Sequence, residues 1–311
     1  MVNNLNPELT IQSPINGGKV RFIEKIRTAD IIQKYQKKLN IDVSPYIGKT
    51  EYISIYECES TQYRFFYPLD IDGDDKFYEA LQDTEGYYLP WKWEHQKALE
   101  RIAKNDQLLE IGSARGAFLE GLVKHFGNDF KACGLELNAD AANVAKSKKM
   151  EVMVESVQSF SQKNPESFDV VCFFQVLEHI SDIKDFITAS LKCLKPGGKL
   201  ILSVPNNDSF IKDLPLNILN LPPHHMGLWN EKSLQNLAAE FNIKSLSFEF
   251  ESLSPIHVWS YYHAKLIRIF GNNIFSKGLL ISLLPLIWYK KRKGLSPNII
   301  GHTILAVFEK K

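Results

Sequence analysis

The stretch "QLLEIGSARGAFLEGL", residues 107–122, carries an apolar run to an acidic residue and then to two glycines, Gly112 and Gly116, set on either side of Ala114. Strand-forming residues up to Ile111 followed at once by glycine read as a strand that stops in a sharp turn, and "GAFLEGL" resumes at helical spacing. The glycines let the backbone turn and remove side chains that would block a ligand, while the helix starting near Gly116 offers free N–H groups to a carboxylate. The small side chains of Ser113 and Ala114 keep that approach open.

The same alternation continues on both sides of this turn. "QLLEIG", "KACGLEL", "EVMVE", "FDVVCFF" and "KLILSVP" are short apolar runs, separated by helical stretches such as "GAFLEGLVKHF", "ADAANVAKSKK" and "IKDFITASLKCL". Strand and helix in turn predict an α/β fold with a parallel, doubly wound sheet and right-handed crossovers, in which a ligand lies beyond the carboxyl ends of the strands. Upstream, Trp93, Ala98, Leu99 and Ile102 recur at helical spacing with Pro90 near the first turn, so a helix over "YYLPWKWEHQKALERIA" leads into the first strand. Downstream, "KSLSFEFES" and "GHTILAVFEKK" predict two further strands around a helical insertion at about 256–295.

Two nucleotide frames compete for the opening turn. A dinucleotide site of the Gly-x-Gly-x-x-Gly kind needs glycines at 112, 114 and 117, where the chain has Gly112, Ala114 and Ala117. The other frame, an acidic residue followed by x-Gly-x-Gly-x-Gly, is met by Glu110, Gly112 and Gly116, with Ala114 departing at the middle glycine.

That second frame resembles the first motif of the class I S-adenosylmethionine-dependent methyltransferases, and the resemblance continues in order over roughly residues 86–311. It implies a Rossmann-like methyltransferase sheet of seven strands, the last antiparallel, and S-adenosylmethionine as cofactor. Glu110, Gly112, Ser113, Ala114 and Gly116 are then expected in the cofactor turn. Glu136 stands where the family's acidic residue accepts hydrogen bonds from the ribose hydroxyls, with Leu137 next to it. The segment from Glu155 through Ser156 to Val157 matches the adenine side, and "FDVVCFFQVLEHI" matches the fourth-strand motif, placing Phe174 and Gln175 beside the cofactor and Glu178 and His179 at the following helix. "LKPGGKLILSVPN" is similar to the turn into the fifth strand. Any one of these matches is weak, since glycine-rich strand-to-helix turns occur in many α/β proteins.

A hydroxyl acceptor must lose a proton as its bond to carbon forms, so a nearby base matters. The segment "NLPPHHMGLWN", residues 220–230, supplies two candidates, His224 and His225, on a loop stiffened by Pro222 and Pro223 before a helix capped by Asn230. It resembles the loop of methyltransferases from bacterial glycan and secondary-metabolite clusters, which implies O-methylation of a sugar or small metabolite, with both histidines as catalytic candidates. The bland alternative has one histidine bonding its own loop and the other facing solvent. "QVLEH" is also similar to the Glu-x-x-Glu-His segment of metal-dependent small-RNA ribose methyltransferases. Gln175 replaces the first carboxylate and is a poor ligand for a hard divalent ion, so no metal is expected.

Residues 1–85 read as a separate extension of α+β character, with strand-like "EYISIYEC" and "YRFFYP" and a polar turn "DIDGDD"; the methyltransferase domain then covers 86–311. "YECESTQYRFFYP" is similar to the Cys-x-x-Cys ribbon before some related domains, but Thr61 stands at the second position, and one thiolate cannot hold zinc. At the junction, Tyr88 and Trp91 are candidates for a lid over cofactor and acceptor, the alternative being a hydrophobic seam.

Composition limits the partners. Lys and Arg total 37 against 36 Asp and Glu, a net charge of +1 that gives no reason to expect nucleic acid. Four scattered cysteines argue against a disulfide framework, and "MVNNLNPELTIQ" lacks a signal-peptide pattern, so a cytoplasmic address is expected. In "GLLISLLPLIWYKKRKG", residues 278–294, the apolar run is too short to span a bilayer and Pro285 interrupts it. It predicts a helical cover over the sheet or pocket, with a weak contact to the inner face of a membrane as the second reading. The sequence thus points to methyl transfer from S-adenosylmethionine to a small-molecule or glycan acceptor. The alternatives are a non-catalytic nucleotide-binding or membrane-peripheral protein, a metal-dependent RNA ribose methyltransferase and an NAD oxidoreductase.

Overall fold

A computed structural model of the chain describes residues 11–82, 91–214, 216–293 and 299–311. The strands are β1 (Val20–Arg27), β2 (Tyr52–Cys58), β3 (Arg64–Tyr67), β4 (Leu108–Ile111), β5 (Ala132–Leu135), β6 (Val152–Met153), β7 (Phe168–Phe174), β8 (Leu194–Pro205), β9 (Gly227–Leu228), β10 (Ile243–Ser252) and β11 (Ile300–Lys310). The helices are α1 (Thr28–Leu39), α2 (Ser44–Ile47), α3 (Asp75–Gln82), α4 (Trp93–Leu99), α5 (Ala117–Phe126), α6 (Ala139–Ser147), α7 (Val157–Lys163), α8 (Ile183–Cys193), α9 (Glu231–Glu240), α10 (Val258–Phe270), α11 (Ile274–Ser282) and α12 (Leu284–Lys293).

Seven strands form the main sheet in the order β10-β11-β8-β7-β4-β5-β6. Strands β4 to β8 pair in parallel, and β11, the last in the chain, is antiparallel to both of its neighbours. This is the sheet expected from the sequence. Both of its faces are buried. Leu109, Val171, Phe173, Leu200 and Leu202 enter one core, and Leu108, Val170, Cys172 and Ile201 enter the other, following the two-residue alternation of a strand. All four cysteines are free and buried, three of them within these two cores.

The chain order reverses beside β4, which lies between β5 and β7. Connections leaving β4 and β7 therefore part in opposite directions, and a crevice opens beyond their carboxyl ends. The turn from Gly112 to Gly116, directly after β4, sits at this crevice.

A second sheet, β1-β2-β3-β9, is antiparallel throughout. Its first three strands come from the N-terminal residues, and its fourth, β9, comes from the histidine loop far downstream. The two parts of the chain also share cores: Tyr63 stacks on Trp229 with ring centroids 4.2 Å apart, and Ile218, Leu221 and Met226 pack with Ile31, Tyr35 and Phe77. The helix before β4 is shorter than its sequence pattern suggests. It runs from Trp93 only to Leu99, with Lys92 as N-cap, and Pro90 lies outside the described residues. Glu178 and His179, expected on a following helix, lie in a single 3-10 turn, Leu177–His179, because α8 does not begin until Asp182 caps it.

The expected insertion before the last strand is formed by α10, α11 and α12. The long apolar run breaks at Leu283, one residue before α12 starts. No described helix is long and apolar enough to cross a membrane.

Candidate functional site

The opening turn is a cradle whose shape depends on missing side chains. Gly112 and Gly116 both have φ of +73°, a left-handed conformation that glycine adopts without cost. A Cβ on Gly112 would lie 2.6 Å from Val176 Cγ2, and one on Gly116 would lie 2.9 Å from Ala145 Cβ, so neither position has room for a larger residue. Ala114 also has positive φ, at +46°, and takes up the strain at the place where the family pattern has glycine. Its N–H donates to Glu136 Oε2 at 2.8 Å, and Asn138 N–H donates to Glu136 Oε1 at 2.9 Å. The carboxylate at the end of β5 is thereby aimed across the crevice toward the turn.

Around this cradle the predicted cofactor residues take several places. Leu137 is an apolar side chain left 64% exposed just after β5. Ser156 caps α7, and Val157 is buried in the main core. Phe174 is likewise buried, edge-on to Phe118 at 4.8 Å and to His95 at 5.1 Å. Ser113 turns inward, its hydroxyl 3.4 Å from the Leu135 carbonyl. Gln175 has φ of +55° and donates through Nε2 to Ser203 Oγ at 3.3 Å and to Glu94 Oε1 at 3.4 Å. Trp91 packs against α5, where its ring fills the space left by Gly121 and stacks on Phe118 at 6.2 Å. Tyr88 lies outside the described residues.

Three carboxyl groups are buried beside the crevice, and the Lys92 ammonium acts on each of them. Burial raises Glu110 to about 8, with Glu136 adding to the rise, and raises Glu178 to about 8. Burial also raises Glu94. Glu110 Oε2 and Glu178 Oε2 are buried without a hydrogen-bond partner. Buried acids with unmet acceptor atoms suit a cationic ligand. S-Adenosylmethionine, with a sulfonium and an ammonium group and a ribose diol for Glu136, fits this donor set and the open glycine cradle.

The histidine loop lies next to the end of β7. His179, His224 and His225 each present a ring nitrogen within 4.8 Å of the others. The His224 and His225 rings stack at 4.4 Å, and His179 stands edge-on to both. Each ring is held by its Nδ1. His179 Nδ1–H donates to the His224 carbonyl at 2.5 Å, and His224 Nδ1–H donates to the Leu219 carbonyl at 3.0 Å. His225 Nδ1–H donates to Asn220 Oδ1 at 3.1 Å. Asn220 is itself fixed, donating to Asn207 Oδ1 at 2.8 Å, and Asn207 donates to the Trp229 carbonyl at 3.1 Å. This chain sets the tautomer of His225 with its lone pair on Nε2. Burial lowers His179 to about 4, against the pull of its bonds to His224 and Gln175, and lowers His224 and His225 well below the usual histidine range. His224 and His225 are each 5% exposed, so neither faces bulk solvent.

The N-terminal residues hold this loop at many points. Tyr35 donates its hydroxyl proton toward the Ile218 and Leu221 carbonyls, Gly73 N–H donates to Pro223, and Phe66 N–H donates to Met226. Tyr78 reaches furthest, with its hydroxyl 3.2 Å from His179 Nδ1 and 3.4 Å from the His224 carbonyl. Tyr78, Glu94, Asn207 and Asn220 are the residues that sequence reasoning missed. For Asn220 a signal existed, because "NLPPHH" carries an amide five residues before His225.

Comparison with known proteins agrees with this geometry. Residues 87–247, about half of the chain, match the family described as "Methyltransferase domain". A ubiquinone biosynthesis O-methyltransferase of Aliivibrio fischeri is 27% identical over 153 residues, covering 45% of this chain and 64% of that protein. The enzyme of the same name from Xanthomonas euvesicatoria is 30% identical over 143 residues, covering 44% and 55%. The chain thus spans between half and two thirds of the length of these relatives. Among solved structures, an S-adenosylmethionine-dependent methyltransferase from Archaeoglobus fulgidus aligns with 69% of this chain and 90% of its own, at 16% identity and a TM-score of 0.49. The sheet order, the glycine cradle, the Glu136 carboxylate and the family match lead to one assignment: the chain belongs to the class I S-adenosylmethionine-dependent methyltransferases.

Proposed function

We propose that the protein transfers a methyl group from S-adenosylmethionine to a hydroxyl oxygen of a sugar or small metabolite, with His225 taking the hydroxyl proton. The observation that carries the reading is the chain from Asn207 through Asn220 to His225, which leaves Nε2 as the unprotonated nitrogen of a buried, neutral ring. A base held in one tautomer by a third group is the arrangement that proton abstraction needs. An oxygen acceptor is also in keeping with the matched relatives, which are named O-methyltransferases.

The cofactor supplies an already activated methyl on sulfur, so the protein's part is to place the acceptor, exclude water and receive one proton. Glu136 and the turn from Gly112 to Gly116 hold the cofactor's ribose. Glu110 faces its positive charge. His224 shares the loop and positions the neighbouring ring by stacking, and Tyr78 and His179 fix the loop's carbonyl. The candidates named for the cofactor crevice, Leu137, Ser156, Val157, Phe174 and Gln175, line it with one apolar side chain, backbone and an amide. Trp91, and Tyr88 beyond the described residues, are proposed to border the same entrance. Residues 278–294 are proposed to touch a membrane surface.

The test is incubation of purified protein and methyl-labelled cofactor with sugars, nucleotide sugars and lipid-linked glycans, followed by NMR of the product. A methyl ether is the expected product. A methyl on nitrogen or carbon, or full activity in His225→Ala, overturns the reading.

A further inference from the structure

The helical insertion has a charge and surface pattern that methyl transfer does not use. Residues 252–308 contain no Asp or Glu, yet they contain Lys265, Arg268, Lys277, Lys290, Lys291, Arg292 and Lys293. Taking these seven from the 37 basic residues leaves 30 against 36 acids in the rest of the chain, so the insertion is strongly positive on a body of net negative charge.

Its apolar residues face outward as well as inward. Val258, Leu266, Leu280 and Ile287 form a small buried core that binds α10, α11 and α12 together. On the outside, Ile274 is 89% exposed, Ile281 62%, Phe275 61%, Ile269 58% and Trp288 57%. Of 19 large hydrophobic side chains exposed among the described residues, 12 lie between Ile256 and Ile300. Such a concentration is unlike the scattered apolar residues of an ordinary surface. The positive charge also continues past the insertion, since Lys277 on α11 acts on both Lys34 of α1 and His263 of α10, as does Lys38.

From this surface we infer that α10, α11 and α12, together with the lysines of α1, dock on a bilayer containing anionic phospholipid. Apolar side chains would enter the headgroup boundary, and the lysines and arginines would meet lipid phosphates. A second copy of the chain is a poor occupant, because a symmetric contact sets this positive surface against itself. The patch also adjoins the site: α10 packs on the short turn Phe210–Asp213, which follows the carboxyl end of β8, and His257 stacks on His302 at 4.8 Å. Docking would therefore hold that end of the sheet close to the membrane surface. The inference stands whether or not the acceptor is a sugar hydroxyl.

The experiment is sedimentation of the full-length protein with extruded vesicles of phosphatidylcholine alone or mixed with phosphatidylglycerol, at low and high salt. Binding is expected only with phosphatidylglycerol and is expected to weaken with salt. The double variant Lys265→Glu, Lys277→Glu should bind at least about tenfold more weakly, at roughly 1 kcal/mol for each lysine near an anionic surface. Ile274→Ser with Phe275→Ser should also release the protein, while S-adenosylhomocysteine uptake and melting temperature stay as in the parent, showing that the variants are folded. Absence of sedimentation with phosphatidylglycerol vesicles at low salt overturns the inference. So do binding indifferent to the lysine reversals and a dimer, seen by light scattering, that the Ile274 and Phe275 changes abolish.

Discussion

The Ala114 amide donates to Glu136 across the crevice at 2.8 Å, so the turn after β4 and the acid after β5 are bonded together at the place proposed for the cofactor's ribose. The carboxylate is held in place before any ligand arrives, and binding does not have to order it.

Replacing Glu136 with Ala removes the acceptor of two backbone N–H groups as well as the proposed ribose ligand. Hydrogen bonds to a charged group contribute roughly 1.5–3 kcal/mol, so affinity for S-adenosylhomocysteine should fall about 10- to 100-fold. Glu136→Gln, which keeps one acceptor, should fall between parent and Ala in isothermal calorimetry. Unchanged affinity in the Ala variant would remove Glu136 from the site.

Glu110 and Glu178 are both raised to about 8, well above an unfolded carboxyl. At these two sites the folded protein holds protons that the unfolded chain has lost, so they make stability fall as pH rises from about 4.5 to about 8, while the buried neutral His179, His224 and His225 act in the opposite sense below pH 6.5. Above about pH 7, where the histidines are largely neutral in both states, the ligand-free protein should lose melting temperature as pH rises toward 8. Glu178→Gln should flatten that slope in a thermal-shift series. A melting temperature that rises over this range contradicts the burial of these groups.

Cofactor binding bears on the same acid. If a cationic ligand lies against Glu110, it favours the ionised carboxylate, and binding at pH 7 should release protons. Calorimetry with S-adenosylmethionine in buffers of different ionisation enthalpy measures that release, which Glu110→Gln should diminish.

The proposed base gives a pH signature. His225 is held neutral well below the usual histidine range, so the acid limb of kcat is expected below pH 6.5, with a plateau through neutrality. Asn220→Leu removes the partner of Nδ1 and frees the tautomer. It should lower kcat by roughly 10-fold or more, within the range of general-base effects, with little change in KM. An unaltered kcat in Asn220→Leu would mean that the amide serves the loop alone.

The parallel strands and the glycine turn were legible because their signals are local. Strand-forming runs, the positive-φ glycines at 112 and 116, and the acid at 136 each follow from a few neighbouring residues. One cap was legible for the same reason: Asn230 does start α9, with Ser233 completing the capping box. The setting of the histidine loop was not, because it is made by contacts between distant segments. Nothing in "DKFYEALQ" announces that Tyr78 meets His179 a hundred residues later, and a two-residue strand such as β9 has no periodicity to detect. The burial of the histidines was hidden for another reason. Polar residues in a proline-rich loop suggest exposure, whereas burial against Tyr35, Phe77 and Met226 closes the loop inward.

The pairing of β9 with β3 has one more consequence. Because the loop proposed to meet the acceptor is stitched into a sheet built by the first part of the chain, the two can be exchanged only as a set. Grafting the N-terminal segment of a relative without its matching loop should unravel recognition while leaving the donor half whole, whereas moving both should carry acceptor preference with them.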